Sequence, residues 1–541
     1  MLSTQVLIIG AGPVGLLSAI VLDRLGISSV LVERRLDRLQ APKAHAVNPR
    51  TLEICQRFGV PADEVRAAGA SIEDGGQVHF VDVLNGTCFG SLPYERQDDG
   101  ARAFTPWPLV NIPQPRFEEF LSQRLAQCAN TSLLRGLTAT NTEESEGGVT
   151  TKLSAGGLSS DWDIRSDYVI AADGAGSQTR ERLGVGMTGP EALQHWIMIH
   201  FEADLTELTS KRPGLLYFCM SPQARGVFIG YERDRSWVFM HAYDPGKQSR
   251  EDFSPEICRR LVGAAAGQSI DPLTVRNVST WTMSAQVADS YRAGRVFLAG
   301  DAAHRFPPTG GLGLNTGIAD AHNLAWKLAM VLHEQADPSL LDTYDGERRP
   351  IAQINSHQSV TNSAKLLHLF GALYGPDPAA TPEHYASACA DPTAFPEISQ
   401  NVEIQRPHFD SFNLQLGYRY GATVDPDTMD ISRYVPAFEV GDHLPHVRLQ
   451  DGSWLVGKLP VEGFSLITGP KAQAWAKVAC PVFSEDVDFK ADQRAFFEQA
   501  GLHRDGALLL RPDGHICARW LKAPEDPQAA VDEQVNEATG R

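Results

Sequence analysis

A short apolar, β-branched run from Gln5 to Ile9 breaks at Gly10-Ala11-Gly12-Pro13-Val14-Gly15 and gives way to a helical apolar pattern through Leu25. Strand, glycine turn and helix in that order commit the start of the chain to a parallel α/β sheet, since parallel strands need a crossover helix to return beside one another. Gly10 permits the tight turn, Gly12 lets backbone approach a pyrophosphate, and Gly15 lets helix and strand pack closely. Phosphates then meet the helix N-terminus, where free N–H groups and the helix dipole favour negative charge. A second run, Ser29 to Val32, ends in Glu33, eighteen positions after Gly15. A carboxylate at about that distance (~20 residues) accepts from a ribose 2′-OH. It would repel a 2′-phosphate, which favours the adenosine of FAD or NAD over NADP, although Arg34 and Arg35 follow directly.

A chain of 541 residues exceeds one ordinary core and divides into roughly three domains. Its net charge of -18 argues against nucleic-acid or anionic-membrane partners, so an anionic ligand has to be held by local groups. The eight Cys lie at least 33 residues apart, without a C-x-x-C pair, and are expected as reduced thiols. No apolar run reaches the ~18 residues of a membrane span, and no clustered metal ligands occur. The expectation is a soluble cytoplasmic protein without metal.

Two later loops extend the nucleotide reading. Tyr168 to Ala172 is a strand running into Asp173-Gly174-Ala175-Gly176-Ser177, which alone also reads as a surface turn capped by Asp173. Gly294 to Ala299 is a buried strand ending in Gly300-Asp301; Pro307-Pro308 and Gly310-Gly311-Leu312-Gly313 follow, and then a helix-compatible stretch from Thr316 to Leu332. An Asp at such a strand end can accept from a ribityl hydroxyl, and the glycine-rich helix start offers N–H groups to a phosphate or a flavin carbonyl.

These three loops together resemble the group A flavoprotein monooxygenases, the aromatic hydroxylases related to para-hydroxybenzoate and phenol hydroxylases. The family's G-x-G-x-x-G falls on Gly10 to Gly15, its Asp-Gly motif on Asp173-Gly174 and its Gly-Asp motif on Gly300-Asp301. Gly300 to Leu328 matches further at Pro307, Gly313, Asn315, Asp320, Asn323, Trp326 and Lys327. Weaker matches are Pro42-Lys43-Ala44-His45 through Glu53, beside the flavin in the family, and Gln114, near the pyrophosphate or ribityl chain. The resemblance covers residues 1 to 365. It implies a Rossmann-like FAD-binding domain (1–75, 111–185 and 281–365), an antiparallel-sheet substrate domain (76–110 and 186–280), a helical linker (366–404) and a thioredoxin-like α/β domain (405–541). The implied cofactor contacts are Gly10, Gly12, Gly15, Glu33, Arg34, Lys43, Gln114, Asp173, Gly174, Gly300, Asp301, Gly311, Gly313, Leu314 and Asn315. His45 and Pro307 are placed at the reacting centre. Gly184-Val185-Gly186-Met187-Thr188-Gly189 also fits G-x-G-x-x-G, but without strand before or helix after it reads as a chance match, so NADPH or NADH is expected to bind only transiently.

Strand-like runs at Leu215 to Met220, Gly226 to Tyr231 and Ser236 to Ala242 suit a half-buried antiparallel sheet. In the resembled fold such a sheet roofs the flavin, which makes Tyr217, Phe228, Trp237, Phe239 and His241 substrate candidates; each reads equally as core packing. A neutral imidazole at His45 could take the proton of a phenol, and the alternative is a loop histidine bonding backbone. Phenol hydroxylases carry an acid near this position, so the identity of the base is open. His304 is read as structural.

From Lys365 prolines cluster (Pro376, Pro378, Pro382, Pro392, Pro396), and the region after Gly417 resembles the third domain of longer family members, without redox cysteines and with packing or dimerisation expected of it. The acidic tail after Pro524 is expected to lack structure. The implied function is NAD(P)H- and O2-dependent hydroxylation of an electron-rich phenolic ring through a flavin C4a-hydroperoxide. Baeyer-Villiger or epoxidising chemistry on the same scaffold, a plain NAD dehydrogenase and a non-hydroxylating flavin-binding protein are the rivals.

Overall fold

The computed structural model describes residues 2–38, 43–155, 161–376, 381–391, 393–492 and 494–541; Pro42, Pro378 and Pro392 lie outside the described residues. The first strand, Leu2–Ile9, pairs in parallel with Ser29–Glu33 on one side and Asp161–Ala171 on the other. Thr131–Arg135 and Val296–Leu298 extend the parallel run at its two ends. Val6, Leu7 and Ile8 are fully buried, as befits a parallel sheet covered on both faces. Helix Pro13–Arg24 leaves the first strand and packs on Leu312–Leu332 and Gln114–Leu125.

The second sheet has seven strands in the order Thr274–Met283, Gln194–Glu202, Ser236–Ala242, Gly226–Glu232, Leu216–Cys219, Gln77–Val81 and Cys88–Pro93. All its pairings are antiparallel except Leu216–Cys219 with Gln77–Val81. Helix Pro255–Ala266 covers one face, burying Cys258, Val262 and Ala265 there. The other face meets the end of the 32-residue helix Thr343–Tyr374 and helices Thr381–Ala390 and Phe395–Glu403. The stretch expected to be a linker is therefore a wall: Leu369, Leu373, Ile398 and Val402 belong to this apolar cluster.

The C-terminal sheet has the order Val482–Ser484, Ser465–Thr468, Ala507–Leu510, Ile516–Trp520, parallel in its first pair and antiparallel thereafter. The tail departs from expectation. Pro527–Thr539 is a helix, opened by the Asp526 carboxylate accepting from Ala529 N–H at 3.0 Å and closed by Gly540 at φ 72°. Val531, Val535 and Ala538, spaced i, i+4, i+7, form a stripe that packs on the large core, which the polar composition conceals. Gly184 to Gly189 follows a helix, Gln178–Arg182, and leads into a strand, Met187–Thr188, so it forms no nucleotide turn.

Candidate active site at the strand ends

Three adjacent parallel strands end at Ile9, Ala171 and Leu298, and the loops singled out in the sequence leave from these carboxyl ends. Ligands of open α/β sheets bind at this edge. Gly10 adopts φ +102°, and a Cβ there would lie 2.3 Å from the Ala172 carbonyl oxygen; one at Gly15 would lie 1.9 Å from the Gly10 carbonyl oxygen. Gly12 faces open space, with nothing within 4 Å of a Cβ. Glycine is thus required twice for packing between loops and once to leave a helix N-terminus uncovered.

A cleft of about 320 Å³ opens over this edge, lined by Gly10 to Gly12, Glu33, Arg34, Lys43, Gln114 and Ala172 to Gly176. Five cationic side chains (Arg34, Arg35, Arg38, Lys43, Arg135) face the acidic Glu33, Asp37 and Glu118, while the carboxylate of Asp173, which also lines the cleft, is taken up by Ser177 and Thr179. In a protein of net charge -18 this is the local positive balance an anionic ligand needs. The Glu33 carboxylate accepts from Ala11 N–H at 3.0 Å and Arg35 N–H at 2.9 Å, which ties the second strand end to the glycine turn. Gln114 accepts from Ala44 N–H at 3.3 Å and donates to Glu118 at 2.7 Å, joining the cleft to the loop that carries His45.

Two side chains expected to meet a cofactor are engaged inside the protein. Asp173 accepts from Ser177 Oγ (2.5 Å), Thr179 N–H (3.1 Å) and Thr179 Oγ1 (2.9 Å), so its side chain closes the turn while the backbone through Gly174 lines the cleft. Asn315 accepts from Asn48 N–H (3.0 Å) and Thr51 Oγ1 (2.8 Å) and donates to the carbonyls of Ala46 (2.9 Å) and Gly311 (2.8 Å). Its donors and acceptors are spent on stitching residues 46–51 to the helix start. The unspent N–H groups there are those of the first turn, Leu312, Gly313 and Leu314, and Gly313 faces open space. Gly311 caps the helix at φ +63° against Ala46. Asp301 is exposed, and Gly300, at φ +62°, packs on Val14 of the nucleotide helix. Pro307 is buried in a loop that Thr309 anchors to the Ser359 carbonyl at 2.7 Å; with neither N–H nor titratable group, its contribution is steric.

The stitch delivers His45 to the other side of the same helix start. Asn111 Nδ2 donates to the Gly75 carbonyl at 2.9 Å, so its Oδ1 must accept from His45 Nδ1–H at 2.9 Å, leaving the His45 Nε2 lone pair free. Burial lowers the His45 pKa and outweighs the opposing Asn111 hydrogen bond. The Tyr94 ring lies 5.8 Å from the imidazole and the Tyr231 ring 6.1 Å. Tyr231 is 7% exposed, and its hydroxyl is buried without a hydrogen-bond partner.

The five aromatic candidates on the sheet stand elsewhere. Tyr217, Phe228, Trp237 and Phe239 are fully buried in the cluster beneath helix Pro255–Ala266, and His241 stacks on Phe239 at 6.2 Å while bonding the Arg225 carbonyl at 2.8 Å. The pleat turns the alternate residues Met198, Val227, Ile229, Tyr231, Val238 and Met240 toward the His45 side. Sequence reasoning therefore missed Tyr94, Asn111 and Tyr231. Only Tyr231 left a signal, ending the alternation Val227, Ile229, Tyr231 against Phe228 and Gly230.

The free first turns of two helices, the uncovered Gly12 and Gly313 and the exposed Asp301 suit a dinucleotide that spans the sheet edge. A family model described as an FAD binding domain matches residues 3–359, and one for the aromatic-ring hydroxylase C-terminal region matches 438–541. The chain is 30% identical to 4-methyl-5-nitrocatechol 5-monooxygenase of a Burkholderia species, over 99% of this chain and 97% of that one. It is 32% identical to aklavinone 12-hydroxylase RdmE of Streptomyces purpurascens, over 98% and 97%. Among solved structures it is similar to the flavin-dependent monooxygenase PieE in complex with FAD and substrate, with a TM-score of 0.92 at 28% identity, covering 100% of this chain and 99% of that one. Its sheet edge, its two matching domains and its full-length relatives place the chain in the family of FAD-dependent aromatic-ring hydroxylases.

Proposed function

We propose that this monooxygenase hydroxylates a phenolic ring lying between His45 and the sheet face that carries Tyr231. The observation that carries the reading is the fixed tautomer of His45: Nδ1 keeps its proton and donates it in a hydrogen bond to Asn111 Oδ1, so Nε2 is the basic nitrogen of a neutral imidazole in a half-buried, aromatic setting. Bound FAD supplies the oxygen-transfer chemistry, with NAD(P)H as the transient reductant and O2 as the second substrate. His45 draws the proton from the ring hydroxyl and makes the ring more electron-rich. Tyr231, whose buried hydroxyl lacks a partner, donates to the same substrate oxygen. Met198, Val227, Ile229 and Met240 give an apolar roof that keeps water from the reacting centre. Glu33, Lys43, Gln114, Asp301 and the free N–H groups of Gly12, Val14 and Gly15 and of Leu312 to Leu314 hold the cofactor. All eight cysteines are free, in keeping with a reducing cytoplasmic setting.

Incubation of the FAD-loaded protein with NADPH, O2 and a panel of phenols and polycyclic phenols tests the proposal. A product heavier by one oxygen on the ring is expected. NADPH consumption that yields only hydrogen peroxide with every member would refute ring hydroxylation, and ring-expanded or epoxide products would replace it with the sister chemistries.

A further inference from the structure

A cluster of buried charges lies behind the Gly300-Asp301 turn, outside the strand-end cleft. Asp320, on helix Leu312–Leu332, is fully buried; its Oδ2 accepts from Gly300 N–H at 3.2 Å and sits 2.8 Å from His304 Nε2. Its Oδ1 accepts from Arg348 Nε at 2.8 Å. Arg348, 1% exposed, also donates to the Thr316 carbonyl at 3.1 Å and, through Nη1, to the Tyr420 hydroxyl at 3.2 Å. Tyr420 comes from the C-terminal region. Its ring stacks on His515 at 4.2 Å and lies under Arg511 at 5.2 Å, and Arg511 forms ion pairs with Asp513 and with Glu347, the neighbour of Arg348.

Burial opposes ionisation of Asp320, but Arg348 and His304 hold its carboxyl below the ordinary range. One carboxylate thus joins Arg348, on Oδ1, to the Gly300 N–H, on Oδ2, so a displacement of the guanidinium is felt at that N–H. Gly300 has no slack to absorb such a shift: its φ is +62°, and its Cα would lie 3.0 Å from a Cβ at Gly317.

We propose that the C-terminal region positions the flavin-binding turn, through a chain of contacts from Tyr420 to Arg348, to Asp320 and to the backbone N–H of Gly300. In this view Tyr420, Arg348 and Asp320 are positioning residues that set where the Asp301 carboxylate stands, and the C-terminal domain is part of the cofactor site without touching the cofactor. The inference rests on FAD occupying the strand-end edge and is independent of the roles given to His45 and Tyr231.

The test titrates FAD into full-length apoprotein, following flavin fluorescence and the visible circular dichroism of the bound flavin. Tyr420→Phe keeps the ring and deletes the hydroxyl; it should raise the FAD dissociation constant about tenfold and alter the visible dichroism, with the far-ultraviolet spectrum of the apoprotein unchanged. Arg348→Lys should act in the same direction, and the double variant should add little to it, because both changes cut one chain. Glu462→Gln removes an exposed contact to Arg24 across the same interdomain seam (3.3 Å) and should leave the affinity at the wild-type value. Wild-type affinity and dichroism in both Tyr420→Phe and Arg348→Lys, or an equal loss in Glu462→Gln, would overturn the proposal. A wild-type chain that takes up no FAD would instead overturn the cofactor site itself, and the proposal with it.

Discussion

The nucleotide edge and the proposed ring-binding face share one helix start but are built from different materials. At the edge the working groups are backbone N–H groups on glycine turns, and packing is so close that an added Cβ at Gly10 or Gly15 meets a carbonyl oxygen at 2.3 or 1.9 Å. At the ring-binding face the working groups are side chains, His45, Tyr94, Asn111 and Tyr231, delivered by four separate segments onto an apolar sheet. The edge is fixed by local geometry. The face depends on long-range assembly, with its groups brought together from segments far apart in the chain.

Substitutions should separate the two regions. Gly15→Val should have the largest effect: the new side chain collides with the Gly10 carbonyl, costing about 3 kcal/mol or more, and the purified protein should be colourless or insoluble. Asp301→Ala leaves packing intact and removes a charge-assisted hydrogen bond to the cofactor worth about 1.5–3 kcal/mol, so FAD titration should show a dissociation constant raised about 10- to 100-fold. Tyr231→Phe should act only on the face. It deletes a buried hydroxyl that has no protein partner, so the apoprotein should melt no lower than wild type while KM for a phenol rises about tenfold. Phe239→Leu, beneath helix Pro255–Ala266, should lower stability by about 1 kcal/mol in urea and leave KM unchanged. An altered KM in Phe239→Leu, or an unaltered one in Tyr231→Phe, would reverse the assignment of the sheet's two faces.

The same contrast governs what could be read from the sequence. The three turns were legible because strand, glycine and acid within a few residues fix a backbone shape locally. The pleat of the second sheet was also legible as alternation, but alternation does not say which set of residues faces the cofactor. That choice is made by helix Pro255–Ala266 on one side and helices beyond residue 343 on the other, so the larger aromatics Tyr217, Phe228, Trp237 and Phe239 attracted attention while Tyr231 did not. Asn111 was invisible for a similar reason: it reaches His45 through the two-residue pairing of Ala46–Val47 with Val110–Asn111, a contact with no periodic signature. Asp173 and Asn315 were singled out by motif, and their side chains serve the turns rather than the cleft.

The pH dependence of hydroxylation in wild type and His45→Ala tests the central claim most directly. With its pKa lowered by burial from the ordinary value of about 6.5, His45 is neutral at neutral pH, so the wild-type rate should hold there and fall only in acid. His45→Ala should lose about 10²- to 10⁴-fold at neutral pH and recover as pH approaches the phenol's own pKa of about 10, where solvent supplies the phenolate. Equal rates for the two proteins across that range would contradict the account.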